Sequence, residues 1–165
     1  MEIVSVEPNS QHIRALGRFM LDAWEKAGPQ ALGWTGANDN TIREISSENY
    51  LTALVSNPKL KFFLSMENDD ITGFAVNRLV DSSTMELAGI IVRNDLLGKG
   101  IGSHLISECI TYARNSGFAN MMVRTEVSNE RAIKFYTSKG FVRSGNVVET
   151  VETSEVELAE FKLVL

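Results

Sequence analysis

The most informative segment of the chain reads Leu97-Gly98-Lys99-Gly100-Ile101-Gly102-Ser103. It follows an apolar run from Thr84 to Val92, typical of a strand, and it precedes a helical pattern from about Ile101 to Ser116. Glycine lets a backbone approach a ligand closely. The first turn of a helix offers unpaired N–H groups and the positive end of a dipole. The segment therefore predicts an anion site, and phosphate is the anion that we expect there.

Two common phosphate-binding motifs do not fit this segment. A Walker A loop requires Gly, four residues and then Gly-Lys-Ser/Thr, but Lys99 is followed by Gly100, and position 93 is Arg93. A dinucleotide fingerprint requires G-x-G-x-x-G, but its third glycine position, counted from Gly98, is Ser103. A nucleotide-binding regulatory domain is therefore a minor alternative. A plain flexible turn is another, although each idle glycine would cost a helix about 1 kcal/mol.

The periodicity of the rest of the chain places this segment in a longer order of elements. The predicted strands lie near residues 3–6, 60–66, 71–80, 84–92, 121–127, 141–150 and 155–164. Ser10 is the predicted cap of the first helix, and Thr41 with Glu44 forms a capping box for a second. A third helix follows the glycine segment, and a fourth is capped by Ser128 or Asn129. Mixed hairpins and crossover helices indicate an α+β domain with a mixed sheet.

Composition restricts the class of protein. The 165 residues, 44% hydrophobic and 22% charged, suit one globular domain over residues 1–165. A net charge of −5 argues against nonspecific binding to nucleic acid or anionic lipid. No apolar run is long enough to span a membrane and no signal peptide is recognisable, so we expect a cytoplasmic location. The single cysteine, Cys109, shares helical spacing with Leu105 and Ala113, which indicates a core thiol.

Two segments resemble motifs of the GNAT acetyltransferase superfamily. Residues 92–102, VRNDLLGKGIG, resemble its acyl-CoA-binding motif Q/R-x-x-G-x-G/A. Residues 128–141, SNERAIKFYTSKGF, resemble its segment N-x-x-A-x-x-x-Y-x-x-x-G-F. The element order also agrees with that superfamily across nearly the whole chain. The resemblance implies a three-layer α+β fold with a mixed, twisted sheet of about seven strands flanked by about four helices.

The resemblance further implies that the protein binds acetyl-CoA as its co-substrate. In this superfamily the strand before the glycine loop and the strand after its helix splay apart, and the pantetheine arm lies between them. Here those strands are Thr84 to Val92 and Met121 to Val127. The residues implied in co-substrate binding are Ile90, Ile91, Val92, Leu97, Gly98, Lys99, Gly100, Ile101, Gly102, Ser103, Asn129 and Tyr136.

One position departs from the superfamily motif. Leu97 occupies the place of the usual Gln or Arg, whose side chain caps the loop or touches phosphate in relatives. Its loss predicts weaker binding, but not loss of binding, because backbone amides form most of the cradle. We expect Lys99 to supply some positive charge in its place.

By the same resemblance, catalysis is direct transfer within a ternary complex. An alkylamine is mostly protonated at pH 7, so its attack needs a base. Glu86 is the best candidate, and a solvated strand-end carboxylate is the alternative interpretation of that residue. Glu126 is the reserve, two positions from the matching site at Arg124. Tyr136 is the expected general acid for the leaving thiolate, or it orients the sulfur; the alternative is a core aromatic beside Phe135.

The chain offers no set of residues for nucleophilic catalysis. Its only histidines are His12 and His104, each on a predicted helix, and we interpret both as core or surface residues. With a single cysteine, they are too few to suggest a zinc site, so we expect no metal.

We expect the acceptor to be a cationic amine, such as a polyamine or a peptide amine. Acceptors in this fold enter between the first two helices and the last hairpin, and here that hairpin is acidic. Its acids are Glu149, Glu152, Glu155, Glu157 and Glu160. Carboxylates that share a strand face attract a cation. Trp34, in the glycine-rich loop from Gly28 to Asn40, offers a cation–π face. The alternative is a solvent-facing hairpin and a core tryptophan.

A different functional class stays open beside the enzyme. A non-catalytic acyl-CoA-binding module with the same fold would act as a sensor or a partner subunit, although the presence of Tyr136 and Glu86 argues against it. We expect no nucleic-acid and no membrane partner. The identity of the acceptor, and the choice between a monomer and a homodimer, do not follow from the sequence.

Overall fold

A computed structural model of the chain describes residues 1–8, 11–28, 38–151 and 154–165, and within those residues it contains five α-helices and seven strands. The strands are β1 (Glu2–Ser5), β2 (Leu60–Glu67), β3 (Asp70–Leu79), β4 (Thr84–Val92), β5 (Asn120–Glu126), β6 (Val142–Val151) and β7 (Ser154–Val164). The helices are α1 (His12–Ala27), α2 (Asp39–Ile45), α3 (Glu48–Val55), α4 (Ile101–Asn115) and α5 (Glu130–Ser138).

The strands form one sheet in the order β1-β2-β3-β4-β5-β7-β6. Strands β4 and β5 run parallel, and the other neighbouring pairs are antiparallel. Helices α4 and α5 pack on one face of this sheet, and α1, α2 and α3 pack on the other. The predicted three-layer α+β fold with a mixed seven-stranded sheet is therefore confirmed.

The helical region before β2 differs from the prediction. One helix opened by Thr41 and Glu44 was expected there, but the chain forms two, α2 and α3. Asn38 caps α2, since its side chain accepts from the N–H of Thr41 at 3.1 Å, so Thr41 already lies inside the helix. The break between the helices has a local cause, because the Ser47 hydroxyl accepts from an N–H of α3 and starts that helix anew. The predicted cap Ser10 lies outside the described residues.

Short turns agree with the sequence chemistry. Asn68 and Asp69 join β2 to β3 with φ angles of 50° and 66°, in the left-handed region that Asn and Asp tolerate better than most residues. The turn before β4 is held by Asp81, whose side chain accepts from the N–H groups of Ser83 and Thr84 at 2.7 and 2.8 Å. The predicted hairpins are therefore confirmed, including the final one formed by β6 and β7.

The two faces of the sheet are covered unequally. The core under α4 contains buried strand residues from β2, β3, β4, β5 and β7, such as Phe63, Leu87 and Phe161. The core under α1, α2 and α3 draws its described strand residues from β1 to β4, such as Phe74 and Ile91. On that second face, the neighbouring part of the sheet instead carries polar and charged side chains, and it adjoins the candidate site.

Candidate active site

The parallel pair of strands separates partway along its length. Register pairs between β4 and β5 run from Thr84 with Asn120 to Leu87 with Val123, and they end there. Beyond that point β4 continues to Val92 along β3, while β5 continues along β7. The two facing strand edges therefore leave backbone groups available to a ligand, which is the splayed arrangement that the sequence resemblance implied.

A β-bulge marks the point of separation. In the β3–β4 ladder, Val76 pairs with Gly89 and Asn77 pairs with Leu87, so Ala88 is an extra residue on β4. A bulge bends its strand and increases the local twist. We infer that this bend carries the second half of β4 away from β5.

The glycine segment forms the start of α4, at the end of β4. Gly98 and Gly100 have φ angles of 79° and 86°, which disfavour any residue with a Cβ atom. Gly100 is the N-cap, and α4 begins at Ile101. Among the described residues, the backbone N–H groups of Gly98 and of residues 100–103 have no backbone partner. These amides form a cluster of free donors at the positive end of a helix, which suits a phosphate group.

Gly102, on the first turn of α4, lies close to α5. A Cβ atom at this position would lie 3.4 Å from Cζ of Phe135 and 3.6 Å from a methyl of Val92. Both distances are ordinary van der Waals contacts, and they show that α5 lies close to the first turn of α4. This contact brings the helix that carries Tyr136 next to the anion site.

The two residues of the loop that carry long side chains lie differently. Leu97 is partly buried, and its N–H donates to the carbonyl of Asn94 at 3.3 Å. Lys99 is exposed, and its N–H donates to the carbonyl of Leu96 at the same distance. Leu97 thus supplies no polar group at the position where the motif usually has one, while the Lys99 side chain is exposed at the loop.

Tyr136 lies at the centre of an aromatic cluster. Its ring makes edge contacts with Phe135 and Phe141, with centroids 5.5 and 6.1 Å apart, and its residue is only 7% exposed. Burial raises the pKa of Tyr136 to about 12. Its hydroxyl makes no hydrogen bond to any residue that the structure describes. Tyr136 therefore stays protonated at neutral pH and has a proton to donate.

Asn129 fixes the helix that carries this tyrosine. Its side-chain oxygen accepts from the N–H of Ala132 at 3.1 Å, so it is the N-cap of α5, one of the two predicted caps. The side-chain amide group remains as a donor, since the cap uses only the oxygen.

Glu86 is buried and ion-paired. The residue is 5% exposed, and Nε of Arg78 donates to its Oε2 at 2.7 Å. The alternative interpretation of Glu86 as a solvated strand-end carboxylate is therefore wrong. Glu86 faces away from the α4 side, because its neighbours Met85 and Leu87 are buried and Leu87 belongs to the α4 core.

A surface cavity of about 370 Å³ opens beside Glu86. Met122, the register partner of Glu86 on β5, and Arg124, two residues further on, line it as well. Lys59, just before β2, and Arg78, on β3, line it too. The cavity is therefore adjacent to the point where β4 and β5 separate, on the face that α1, α2 and α3 leave uncovered.

Arg124 ties the acidic hairpin to β5. Its guanidinium donates to Glu149 at 2.8 Å and to Glu160 at 3.0 Å. Burial of Arg124 opposes its charged form, but the hydrogen bond and the charge of Glu160 outweigh this and raise the pKa of Arg124. Burial would likewise raise the pKa of Glu160, yet hydrogen bonds from Arg124 and Ser144 hold it below its ordinary value. Two of the hairpin acids are thus already paired with Arg124.

The other acids of the hairpin lie elsewhere. Glu155 and Glu157 are exposed and alternate with Ala159, which is buried in the α4 core. Since residues two apart share a strand face, both point to the face opposite Glu86. Glu152 and Trp34 lie outside the described residues.

The sequence of the chain matches the profile of the acetyltransferase (GNAT) family over residues 16–141. The chain belongs to the GNAT acetyltransferase family. Among its relatives, N-alpha-acetyltransferase 30 of Xenopus laevis is 31% identical over 135 residues, which cover 66% of this chain and 49% of the relative. An uncharacterized N-acetyltransferase of Methanocaldococcus jannaschii is 30% identical over 98 residues, 56% of this chain and 43% of the relative. The matches thus span less than half the length of these relatives.

Solved structures of other acetyltransferases share the fold. An N-acetyltransferase from Staphylococcus aureus superimposes with a TM-score of 0.73 at 20% identity, covering 99% of both chains. The PaiA N-acetyltransferase of Thermoplasma acidophilum, in complex with coenzyme A, gives 0.70 at 18% identity and covers 99% of this chain and 100% of the other. A GNAT acetyltransferase of Elizabethkingia anophelis with bound acetyl-CoA gives 0.60 at 19%, covering 72% and 84%.

The remaining candidates have structural positions within this GNAT fold. His12 is the first residue of α1, and His104 is exposed on the first turn of α4, where its Nδ1 lies 2.9 Å from the Gly100 carbonyl. Cys109 is a fully buried core thiol, and burial raises its pKa. In the described part of the chain, no group of three or more His, Cys, Asp or Glu side chains is placed to hold a metal. None of the described helices is long and apolar enough to cross a membrane.

Sequence reasoning missed the partner of Glu86. Arg78 is its direct register partner across the β3–β4 ladder. Counting the hairpin register back from the turn, Val80 with Thr84 and then Arg78 with Glu86, would have found this opposite-charge pair. The bulge at Ala88 and the two partners of Arg124 left no comparable signal in the sequence.

Proposed function

We propose that this protein is an N-acetyltransferase that transfers the acetyl group of acetyl-CoA to an amine. One observation carries the proposal: a cluster of free amides at the start of α4 lies at the end of β4, beyond the point where β4 and β5 separate. Phosphate groups suit the amides, and an extended arm that contains amide groups suits the free strand edges.

Acetyl-CoA would occupy both parts of this site. Its pyrophosphate lies on the backbone amides of Gly98 and of residues 100–103, with Lys99 close by and Leu97 contributing only apolar contact. Its pantetheine arm lies along the second half of β4, at Ile90, Ile91 and Val92, between that strand and β5. Asn129 contacts the arm through its side-chain amide group. Phe135 of α5 lies close to Gly102, which keeps α5, and thus Tyr136, beside the bound co-substrate.

The chemistry needs two proton transfers. The unprotonated amine attacks the thioester carbon, and the C–S bond of the tetrahedral intermediate then breaks. Glu86, directly or through a water molecule, takes a proton from the amine nitrogen. Tyr136 gives its hydroxyl proton to the departing thiolate. The surroundings of the two residues support these roles of acid and base. Burial keeps Tyr136 protonated, while Arg78 donates a hydrogen bond to one oxygen of Glu86.

The cationic acceptor stays a prediction. Of the hairpin acids that supported it, Glu149 and Glu160 are paired with Arg124, and Glu155 and Glu157 point to the other face of the sheet. The cytoplasmic location and the single domain over residues 1–165 stay predictions as well.

Turnover is the decisive test of this function. Labelled acetyl-CoA is incubated with the protein and a broad panel of small amines, amino acids and peptides. We expect acetylation of at least one amine that depends on Tyr136 and Glu86. Tight acetyl-CoA binding without transfer to any amine would instead favour the non-catalytic binding module.

A further inference from the structure

The cavity beside Glu86 has an unusual balance of charge for a protein of net charge −5. One carboxylate lines it, that of Glu86, together with three cationic side chains: Lys59, Arg78 and Arg124. A site that receives only a cationic amine needs negative or neutral surroundings. The positive groups therefore require an explanation of their own.

Two of these cations are already balanced by neighbours. Arg78 donates through Nε to Glu86, although its side chain is half exposed and keeps further N–H groups. Arg124 donates to Glu149 and Glu160. Lys59, by contrast, forms no ion pair with any described residue. Lys162 also lies 3.8 Å from Glu160, so that Arg124 and Lys162 together offset Glu149 and Glu160. The charge of Lys59 is then left in excess, beside donors of Arg78 that are not used.

Resting on the proposed function, we infer that the acceptor carries a carboxylate close to its amine, as an amino acid does. The amine lies at Glu86, which removes its proton, and the carboxylate lies between Lys59 and Arg78. A carboxylate carries a single negative charge and accepts hydrogen bonds from both ammonium and guanidinium groups. It matches the single excess charge, whereas a phosphate dianion would leave a negative charge unbalanced in the cavity.

A polyamine is the opposing possibility. It would place a second positive charge among Lys59, Arg78 and Arg124, and like charges in close contact are unfavourable. Arg124 already occupies the position that a second ammonium group would need in order to reach Glu149 and Glu160. The observations therefore favour the carboxylate-bearing amine.

The test compares amines in matched pairs. The values of kcat/KM are measured for leucine and leucinamide, for glycine and glycinamide, and for spermidine, at one pH and one ionic strength. We expect each carboxylate member to exceed its amide by about tenfold or more, the effect of one charge-assisted hydrogen bond. An amide has the less basic α-amine, so easier deprotonation cannot produce this preference.

Variants test whether the preference for carboxylate-bearing amines arises in the cavity. We expect Lys59→Gln to raise KM for the carboxylate members about tenfold and to leave the amide members unchanged, with Lys59→Arg restoring the preference. Lys134→Gln removes an exposed lysine on α5, 81% accessible, and is the matched control that keeps the wild-type preference.

The outcomes separate this inference from the proposed function. Acetylation of the amides or of spermidine at rates equal to or above those of the amino acids overturns the carboxylate class and leaves the acetyltransferase intact. A preference that Lys59→Gln does not change overturns the assigned position. Absence of transfer to every acceptor, with acetyl-CoA bound, overturns both.

Discussion

Arg78 lies directly opposite Glu86 across the β3–β4 ladder, and its guanidinium holds Oε2 of that carboxylate at 2.7 Å. Oε1 has no hydrogen-bond partner among the described residues, and Glu86 lines the cavity at the end of the β4–β5 pairing. One oxygen is therefore fixed, and the other is left to accept a proton. The different surroundings of the two carboxylate oxygens are the basis of the first prediction.

Glu86→Gln should lower kcat by roughly 10²- to 10⁴-fold, because the amide cannot act as a base. Its oxygen still accepts from Arg78, so the free energy of unfolding should change little. The pH–rate profile should lose its acidic limb. Glu126→Gln, on the neighbouring strand, is measured in parallel. If both variants keep the wild-type acidic limb, the base is another group or water.

Tyr136→Phe removes only a hydroxyl from a buried ring. We expect kcat to fall roughly 10²- to 10⁴-fold, because the thiolate then leaves without a proton. The contacts with Phe135 and Phe141 remain, so urea denaturation should report a folded protein. Full activity of this variant would exclude the acid role of Tyr136.

The same hydroxyl predicts how stability depends on alkaline pH. The pKa of Tyr136 is about 12 in the folded chain and near 10 when unfolded, so the folded state holds this proton more tightly. The resulting stabilisation is complete below pH 10 and is lost as the pH rises toward 12. By pH 11 the wild type should lose about 1 kcal/mol more than Tyr136→Phe, relative to pH 8. Urea unfolding measures this, with Tyr50→Phe as the control at an exposed ring; equal losses in all three proteins would contradict it.

Gly100→Glu should abolish acetyl-CoA binding, since it places bulk and negative charge among the free amides. The control is Gly117→Glu at the other end of α4. Gly117 has a φ of 83°, close to the 86° of Gly100, so both variants suffer similar backbone strain. Calorimetry should find binding only in the control. Unchanged affinity of the Gly100 variant would remove the site from this loop.

The parts of the fold that the sequence predicted depend on neighbouring residues. Glycines at φ angles near 80°, Asn68 and Asp69 in a two-residue turn, and Asn129 at a helix start are all determined within a few positions. The two motifs predicted the position of the site for the same reason, because the site residues within the loop, and those within α5, lie a few positions apart in the sequence.

The parts that the sequence did not predict depend on distant pairing. Arg124 meets Glu149 and Glu160, which are 25 and 36 positions away, and only the strand order brings them together. The acidic hairpin therefore looked uniformly negative in the sequence, whereas the sheet distributes its acids between two faces. The extra residue at Ala88 is equally hidden, since a bulge is visible only when both strands are aligned.

The ladder between β4 and β5 is short, because it pairs only the residues from Thr84 to Leu87 with partners on β5. This shortness has a mechanical consequence. Its four residue pairs join a four-stranded section of the sheet, β1 to β4, to a three-stranded section, β5 to β7. A ligand that pairs with both free strand edges would add hydrogen bonds between these two sections and would couple them more tightly. When the ligand leaves, only the four residue pairs beside Glu86 would join the two sections through β4 and β5.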